Sequence, residues 1–212
     1  MTSPDLATPP GGWTVVLPVK GGPGAKSRLG HPARADLAGA VALDTVAAVL
    51  ACPHVSRVLV VTADTQVAAA HAALGALVVH DPGGGLAGAL AAGAAAAPAS
   101  RCALLLADLP SLRPEDVSVV LDACERLLDA GARQVTVPDA DGTGTVLLAA
   151  GSASALRPRF GPGSAAAHAA DAVVVPGAPV RVRRDVDTAE HLAGAVRLGV
   201  GPRTAAVLAA TG

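Results

Sequence analysis

The stretch that decides the fold reads Trp13-Thr-Val-Val-Leu-Pro-Val-Lys20 and continues as Gly-Gly-Pro-Gly-Ala-Lys26-Ser-Arg28. Its first half is apolar and rich in valine, which is typical of a buried strand. Its second half is a glycine-rich loop, and Lys20 and Lys26 are the only lysines among the 16 lysines and arginines of the chain. Glycine lets a backbone approach a ligand closely, and lysine is a compact point charge that suits phosphate. The loop therefore predicts a polyphosphate site, with a solvated loop that binds nothing as the alternative.

Strand-like and helix-like runs alternate behind this loop. The pattern predicts strands at 14–19, 57–62, 76–80, 102–106 and 134–137, and helices at 33–51, 64–74, 86–97 and 114–130. After Pro138 it predicts strands at 145–150 and 180–184 and a helix at 189–198, followed by an alanine-rich tail. Valine-rich strands separated by helices are typical of a mostly parallel sheet. The sequence therefore predicts an α/β fold with a mostly parallel central sheet and helices on both faces.

The length and composition restrict the domain organisation and the class of ligand. A chain of 212 residues fits one domain, which we expect to span residues 13–212 behind a flexible tail at 1–12. Aromatic residues make up 1% of the chain, so an aromatic platform for stacking nucleobases is not expected. The net charge is −1, which does not indicate a surface for nucleic acid.

The cysteines and the apolar runs bear on the compartment. Cys52, Cys102 and Cys124 are scattered and odd in number, which favours buried, reduced thiols over disulfides. The first 12 residues lack the basic and apolar regions of a signal peptide. The most apolar helical run, at 86–97, is much shorter than the about 20 residues that cross a bilayer. We therefore expect a cytoplasmic protein that contacts no membrane.

Three carboxylates follow predicted strands, at the edge where open α/β sheets bind their ligands. Asp108 follows the strand at 102–106, and Asp185 and Asp187 follow the strand at 180–184. Residues i and i+2 of an extended chain point to the same side, so this pair is expected to share one hard cation with Asp108. Magnesium prefers one or two carboxylates together with phosphate oxygens. The alternatives are a turn-forming role for Asp108 and a helix N-cap role for Asp187.

Two glycine-rich segments offer hydroxyls and backbone amides to an anion. They are Asp141-Gly-Thr143-Gly-Thr145 and Phe160-Gly161-Pro-Gly163-Ser164, and the second precedes an alanine-rich helix. We expect Ser164 to cap that helix while the helix N-terminus faces a phosphate or a carboxylate. Plain turns are the alternative. His168 lies one turn further along, and a lone histidine on an alanine helix is more often structural than catalytic.

Taken together, these segments resemble a known family, the guanylyltransferases of coenzyme F-420 biosynthesis. The resemblance is strongest to the actinobacterial branch, the phosphoenolpyruvate guanylyltransferases, and it covers nearly the whole chain. It implies the single-domain α/β fold of molybdopterin guanylyltransferase and of the nucleotide-diphospho-sugar transferases. The motifs that carry it occur in order: Pro18-Val-Lys20, Ala25-Lys26-Ser-Arg28-Leu, Asp108-Leu-Pro110, Gly142-Thr-Gly-Thr145, Phe160-Gly-Pro-Gly-Ser164 and Asp185-Val-Asp187-Thr188.

The resemblance also implies an activity. GMP would pass from GTP to the phosphate of phosphoenolpyruvate or 2-phospho-L-lactate, with magnesium and with release of pyrophosphate, and the labile product would go to the next transferase of the pathway. The residues implied to hold the metal are Asp108, Asp185 and Asp187. Those implied to grip the three-carbon acid are Thr145, Gly161 and Ser164. Those implied to contact the GTP phosphates are Lys20, Lys26 and Arg28, and the two lysines share the catalytic role with Asp108.

The chain departs from the family pattern at three positions. Ala107 stands where relatives often carry glycine, Ala87 where many carry asparagine, and Ala167 where an arginine often precedes the histidine. Two alternatives to the family function are an enzyme of the same fold that acts on molybdopterin or a sugar phosphate, and a nucleotide-binding protein without catalysis. The first group usually opens with Leu-x-Gly-Gly-x-x-x-Arg-x-Gly, whereas this chain has Pro18-Val-Lys20. The second is disfavoured by the intact carboxylates.

Overall fold

A computed structural model describes residues 12–21, 33–98 and 100–211. Within these residues the strands are β1 Trp13–Pro18, β2 Val55–Thr62, β3 Leu77–His80, β4 Cys102–Leu105, β5 Gln134–Pro138, β6 Thr145–Ala150 and β7 Val173–Val174. The helices are α1 Arg34–Leu50, α2 Thr65–Ala73, α3 Gly85–Ala96, α4 Pro114–Asp129, α5 Ser164–Ala169, α6 Val180–Arg183, α7 Ala189–Leu198 and α8 Pro202–Thr211, together with a 3-10 helix at Ala153–Ala155. The tail predicted at 1–12 lies, except for Gly12, outside the described residues.

The strands of this part of the chain form one sheet in the order β3-β2-β1-β4-β6-β5-β7. Strand β6 is antiparallel to both of its neighbours, β4 and β5, and the other pairs are parallel. The predicted mostly parallel sheet is confirmed. Because β6 runs in the opposite direction, its first residue, Thr145, lies at the edge where the parallel strands end.

Helices cover both faces of the sheet, as the strand β1 illustrates. Val15 and Leu17 belong to one buried cluster, with residues of α1 and α4, while Val16 between them belongs to a second cluster, with residues of α3. This alternation follows from the two-residue period of a strand. Small residues let α3 lie close to the sheet, since a side chain at Gly93 would collide with Val16.

The strand predicted at 180–184 is wrong, because Val180–Arg183 is a one-turn helix. The alternation of valine and arginine imitated a strand, and one helical turn is too short to show a helical period. The turn is tied to the end of β5 by Arg183, whose Nε donates to the carbonyl of Pro138 at 3.1 Å and whose Nη2 donates to the carbonyl of Asp139 at 2.7 Å. The edge beside β5 is occupied instead by the two-residue strand β7, which the sequence pattern did not reveal.

The alanine-rich tail forms the helix α8, which packs against α1. The Asp44 carboxylate of α1 accepts the backbone N–H groups of Arg203 at 3.2 Å and Thr204 at 2.8 Å, and Nη1 of Arg203 at 3.3 Å. These N–H groups belong to the first turn of α8, where a helix has no internal acceptors for them. Asp44 therefore anchors the end of the described chain to its first helix.

Two further observations concern thiols and membranes. Cys52, Cys102 and Cys124 are buried and free, as predicted. Burial raises the pKa of the Cys102 and Cys124 thiols to about 12 each. In the portion of the chain that the structure describes, we found no helix with the length and apolarity needed to pass through a bilayer.

Candidate nucleotidyl-transfer site

The carboxyl edge of the sheet brings several predicted residues into one region. Lys20 follows β1, Asp108 follows β4, and Thr145 begins β6. Strand β4 pairs with β1 on one side and with β6 on the other, so the three strands are direct neighbours. Ligands of open α/β sheets bind at this edge. Lys26 and Arg28 lie outside the described residues.

The glycine-rich loop that carries Lys20, Lys26 and Arg28 begins against the end of β2. The amide of Val19 donates to the carbonyl of Val61 at 2.9 Å, and Lys20 beyond it is exposed. Any side chain at Gly21 would collide with Asp64. The Asp64 carboxylate is itself fixed, because it caps α2 by accepting the amides of Gln66 at 2.8 Å and Val67 at 3.1 Å. Glycine at position 21 is therefore required by a close approach, and Asp64 is a positioning residue that the sequence analysis missed.

Two backbone contacts fix the turn after β4 that carries Asp108. The amide of Leu109 donates to Oγ1 of Thr45 in α1 at 3.2 Å. The amide of Gly201, which precedes α8, donates to the carbonyl of Pro110 at 2.8 Å. The position of Asp108 is thus set by α1 and by the segment that enters α8.

The segment of Asp185 and Asp187 lies against this turn. The amide of Val186 donates to the carbonyl of Asp108 at 3.1 Å, and the Val186 side chain is buried against α1 and α7. Asp185 is half-buried and Asp187 is exposed. The alternative role of Asp187 as a helix N-cap is wrong: the cap of α7 is Thr188, whose hydroxyl accepts the amide of His191 at 3.2 Å.

The predicted metal ligands Asp108, Asp185 and Asp187 do not form a preformed three-carboxylate cluster in the structure. Across residues 12–21, 33–98 and 100–211 there is no group of three or more histidine, cysteine, aspartate and glutamate side chains arranged to hold a metal ion. Magnesium commonly uses one or two carboxylates and takes its remaining ligands from substrate phosphates and water. Carboxylate oxygens are ligands that magnesium accepts, and the site at Asp108, Asp185 and Asp187 stays a prediction.

A compact loop joins β5 to β6 and leads into Thr145. Both oxygens of the Asp139 carboxylate accept backbone N–H groups, from Thr143 at 2.9 Å and from Gly144 at 2.6 Å. A side chain at Gly144 would collide with this carboxylate. The loop also contacts the next segment, because the amide of Ala165 donates to the carbonyl of Thr143 at 3.1 Å. Asp139 is a second positioning residue that the sequence analysis missed, although an aspartate shortly before a glycine-rich segment is typical of such a turn.

The three residues implied to hold the acceptor acid lie around one buried histidine. Oγ1 of Thr145 is 2.9 Å from Nδ1 of His168, and the amide of Arg159, two residues before Gly161, donates to Nε2 of His168 at 2.8 Å. The amide of Ser164 donates to the carbonyl of Gly161 at 3.1 Å. The predicted capping role of Ser164 is wrong, because Ser164 is the first residue of α5 and the cap is Gly163, whose φ of 73° suits glycine.

The surroundings of His168 keep its imidazole ring neutral. Burial, reinforced by the positive charge of Arg159, lowers the pKa of His168 below its usual range. Arg159 is in turn paired with Asp171, with Nη2 2.8 Å from Oδ2, and its Nη1 donates to the carbonyl of Ala167 at 2.8 Å. Ala167, one of the three departures from the family pattern, thus contributes its backbone carbonyl, which helps to hold Arg159 beside the His168 ring.

The other two departures lie elsewhere on the same edge. Ala87 is exposed in the first turn of α3, and Ala107 is half-buried against the core beside Asp108. An asparagine at position 87 would thus face solvent or a ligand, and a glycine at position 107 would remove a packed methyl group.

A family model of the MobA-like NTP transferase domain matches residues 21–177. A protein of Salinispora arenicola named phosphoenolpyruvate guanylyltransferase is 52% identical over 91% of this chain and 92% of its own length. A protein of Streptomyces coelicolor with the same name is 50% identical over 93% of this chain and 96% of its own length.

Solved structures confirm the fold. The structure of CMP:2-keto-3-deoxy-manno-octonic acid synthetase complexed with CTP superposes with a TM-score of 0.53, covering 88% of this chain and 98% of that one at 17% identity. The expected nucleotide-diphospho-sugar transferase-like fold is therefore confirmed, as is the resemblance that the motifs carried. The chain belongs to the MobA-like NTP transferase family and, within it, to the phosphoenolpyruvate guanylyltransferases.

Proposed function

We propose that this chain transfers GMP from GTP to the phosphate of phosphoenolpyruvate, or of 2-phospho-L-lactate, and releases pyrophosphate in coenzyme F-420 biosynthesis. The observation that carries the proposal is sequence identity of about half over nearly the whole chain to proteins of that name. The geometry supports it, since a lysine, carboxylates and hydroxyls meet at one edge of the sheet. We place the enzyme in the cytoplasm, where both substrates occur.

The reaction forms one bond and breaks another at the α-phosphorus of GTP. An oxygen of the acceptor phosphate attacks this phosphorus, and the bond to the bridging oxygen of the β-phosphate breaks, with pyrophosphate leaving with the electron pair. A phosphate monoester is already largely ionised at pH 7, because its second pKa is about 6. The chain therefore needs no general base, and its task is to bring two anions together.

Basic residues of the first loop would hold the nucleotide. Lys20 stands exposed at the end of β1, and Lys26 and Arg28 follow it along the chain. Their charges would neutralise the triphosphate and the departing pyrophosphate. The chain just before Lys20 is held by the hydrogen bond from the Val19 amide to the Val61 carbonyl, and Gly21 just after it lies close to Asp64.

Asp108, Asp185 and Asp187 would hold magnesium. When bound, magnesium would neutralise phosphate charge and so lower the electrostatic barrier to the approach of the two reactants. The backbone bond between Val186 and Asp108 keeps the two carboxylate segments adjacent. Without a bound cation the three carboxylates would repel the phosphates of both substrates. We therefore expect these residues to support turnover only when magnesium is bound.

Thr145, Gly161 and Ser164 would bind the acceptor acid. The hydroxyl of Thr145 and the backbone around Gly161 and Ser164 lie on neighbouring segments that His168 joins. Hydroxyl and amide donors suit the carboxylate and phosphate of a small acid. We further propose that the labile product passes to the next transferase of the pathway.

An acceptor panel tests the proposal. The protein is incubated with GTP and with phosphoenolpyruvate, 2-phospho-L-lactate, 3-phosphoglycerate, molybdopterin or a sugar phosphate, with and without magnesium, and pyrophosphate release is followed. We expect turnover with phosphoenolpyruvate or 2-phospho-L-lactate and only in the presence of the cation. Turnover with molybdopterin or a sugar phosphate instead, or nucleotide binding without any turnover, would reject the assignment.

Replacing Asp108 by asparagine tests the metal assignment. Loss of a metal-binding carboxylate is expected to lower kcat by about 100-fold or more, in the range found when a transition-state charge partner is removed. The thermal transition is expected to change little, because the turn is held by backbone contacts. Asp122→Asn is the matched control: its carboxylate lies on α4, paired with His54 at 3.1 Å. Wild-type turnover by Asp108→Asn would exclude Asp108 as a metal ligand.

A further inference from the structure

His168 uses both of its ring nitrogens inside the protein. The side chain is 0% exposed, its Nε2 lies 2.8 Å from the amide nitrogen of Arg159, and its Nδ1 lies 2.9 Å from Oγ1 of Thr145. A backbone amide can only donate a hydrogen bond, so Nε2 must be the acceptor and carry no hydrogen. In a neutral imidazole the hydrogen is then on Nδ1.

This tautomer fixes the role of the Thr145 hydroxyl. A protonated Nδ1 donates, so the oxygen of Thr145 accepts, and the hydroxyl hydrogen cannot point toward the ring. A hydrogen bond with the backbone of Ser164 also favours a protonated ring nitrogen. Arg159 and Asp171 form an ion pair beside the ring, and their charges shift the pKa of His168 in opposite directions. Burial is therefore the main influence on this pKa, and it keeps the imidazole neutral.

The position of Thr145 in the sheet suits its hydroxyl for donating a hydrogen bond to a ligand. Thr145 is the first residue of β6, at the edge of the sheet where Lys20 follows β1 and Asp108 follows β4. A hydroxyl that is fixed as a donor makes a stronger hydrogen bond to an anion than to a neutral group. The ring also holds the segment before Gly161, through the Arg159 amide and an edge-to-face contact with Phe160 at 5.2 Å between ring centroids.

We infer that His168 is a positioning residue that fixes the Thr145 hydroxyl as a hydrogen-bond donor to an anionic group of the acceptor acid. The inference about the tautomer stands on geometry alone, and the inference about the acceptor rests on the proposed function. His168 is thereby more than a packed residue of an alanine-rich helix.

Nitrogen NMR of the wild-type protein tests the tautomer without any reaction. In protein labelled with 15N at its histidine rings, the His168 signals are assigned by their loss in the His168→Asn variant. We expect a neutral ring at pH 7 with hydrogen on Nδ1 and a bare Nε2. A ring with hydrogen on Nε2 or on both nitrogens would overturn the inference, whatever the substrate is.

Steady-state kinetics test the role in acceptor binding. His168→Leu removes the donor to Thr145 and is expected to raise the KM for the acceptor acid by about 10- to 100-fold, the range for a hydrogen bond to a charged group. The KM for GTP should stay within about twofold. His168→Asn, whose amide can still donate to the Thr145 oxygen, should recover part of the loss.

A double-substitution cycle separates positioning from a general structural role. In a Thr145→Val background His168→Leu should not raise the acceptor KM further, because the hydroxyl that His168 orients is gone. Independent, multiplying effects, or equal increases in both KM values, would overturn the inference. A wild-type protein that transfers GMP to no acid would refute the proposed function and the acceptor role together, while the NMR spectrum would still decide the tautomer.

Discussion

Replacing Asp139 by asparagine tests how the loop before Thr145 is held. The carboxylate is 9% exposed and accepts two backbone N–H groups, from Thr143 at 2.9 Å and Gly144 at 2.6 Å. Asparagine has the same size but keeps only one carbonyl oxygen. Its amide group would face the second N–H donor, so one hydrogen bond is lost and two donors are brought together.

The expected magnitude follows from these contacts. A hydrogen bond to a charged group contributes about 1.5–3 kcal/mol, and the loss of one bond leaves a buried N–H without its acceptor. We therefore expect the free energy of unfolding to fall by about 2–3 kcal/mol, which lowers Tm by about 4–12 °C in a chain of this length. Because the loop carries Thr145, the KM for the acceptor acid should rise about tenfold or more, equivalent to at least 1.4 kcal/mol.

The assays are thermal unfolding and pyrophosphate release with GTP held saturating while the acceptor is varied. Asp122→Asn is again the control, since an exposed carboxylate–histidine pair contributes at most about 1 kcal/mol. The KM for GTP should stay within about twofold in both variants. An Asp139→Asn protein with the Tm and the acceptor KM of the wild type would refute the conclusion that this carboxylate holds the loop.

Two further predictions concern stability. Asp44→Ala removes the acceptor of the first turn of α8 and leaves Arg203 without its carboxylate partner, so urea unfolding should show that the free energy of unfolding falls by about 2–4 kcal/mol; an unchanged midpoint would contradict the anchoring role. Cys102 and Cys124 have pKa values of about 12 in the folded protein against an ordinary value of 9.0. The unfolded chain therefore loses these protons first, and the contribution of the two thiols to the free energy of unfolding should be constant below pH 9 and fall between pH 9 and 12, by up to about 1.4 kcal/mol per pH unit for each thiol. Valine at both positions should remove that slope, and an unchanged slope in the double variant would contradict it.

Helices and strands with a long apolar pattern could be predicted from the sequence, and the shortest elements could not. The strands near 14–19, 57–62 and 102–106 are continuous valine and leucine runs, and burial on both faces of a sheet requires such runs. The helix α6 and the strand β7 contain four and two residues, respectively. Their conformation is set by contacts with β5, from Arg183 and from the ladder, which a local pattern does not encode.

The same division applies to the site. Lys20, Asp108 and Thr145 could be found because they directly adjoin predicted strands. Asp64 and Asp139 act through backbone amides, so a sequence shows them only as ordinary turn residues. The partnership of Thr145 with His168 joins positions that are distant along the chain, and only the folded sheet and α5 reveal that the two side chains touch.

The bond between the amide of Val186 and the carbonyl of Asp108 has a consequence for redesign. A hydrogen bond between two peptide groups does not depend on which side chains the residues carry, so this contact should persist when the carboxylates are exchanged for other coordinating groups. With Asp185 and Asp187 holding the cation as we propose, softer donors installed at these two positions would be expected to alter the preferred cation.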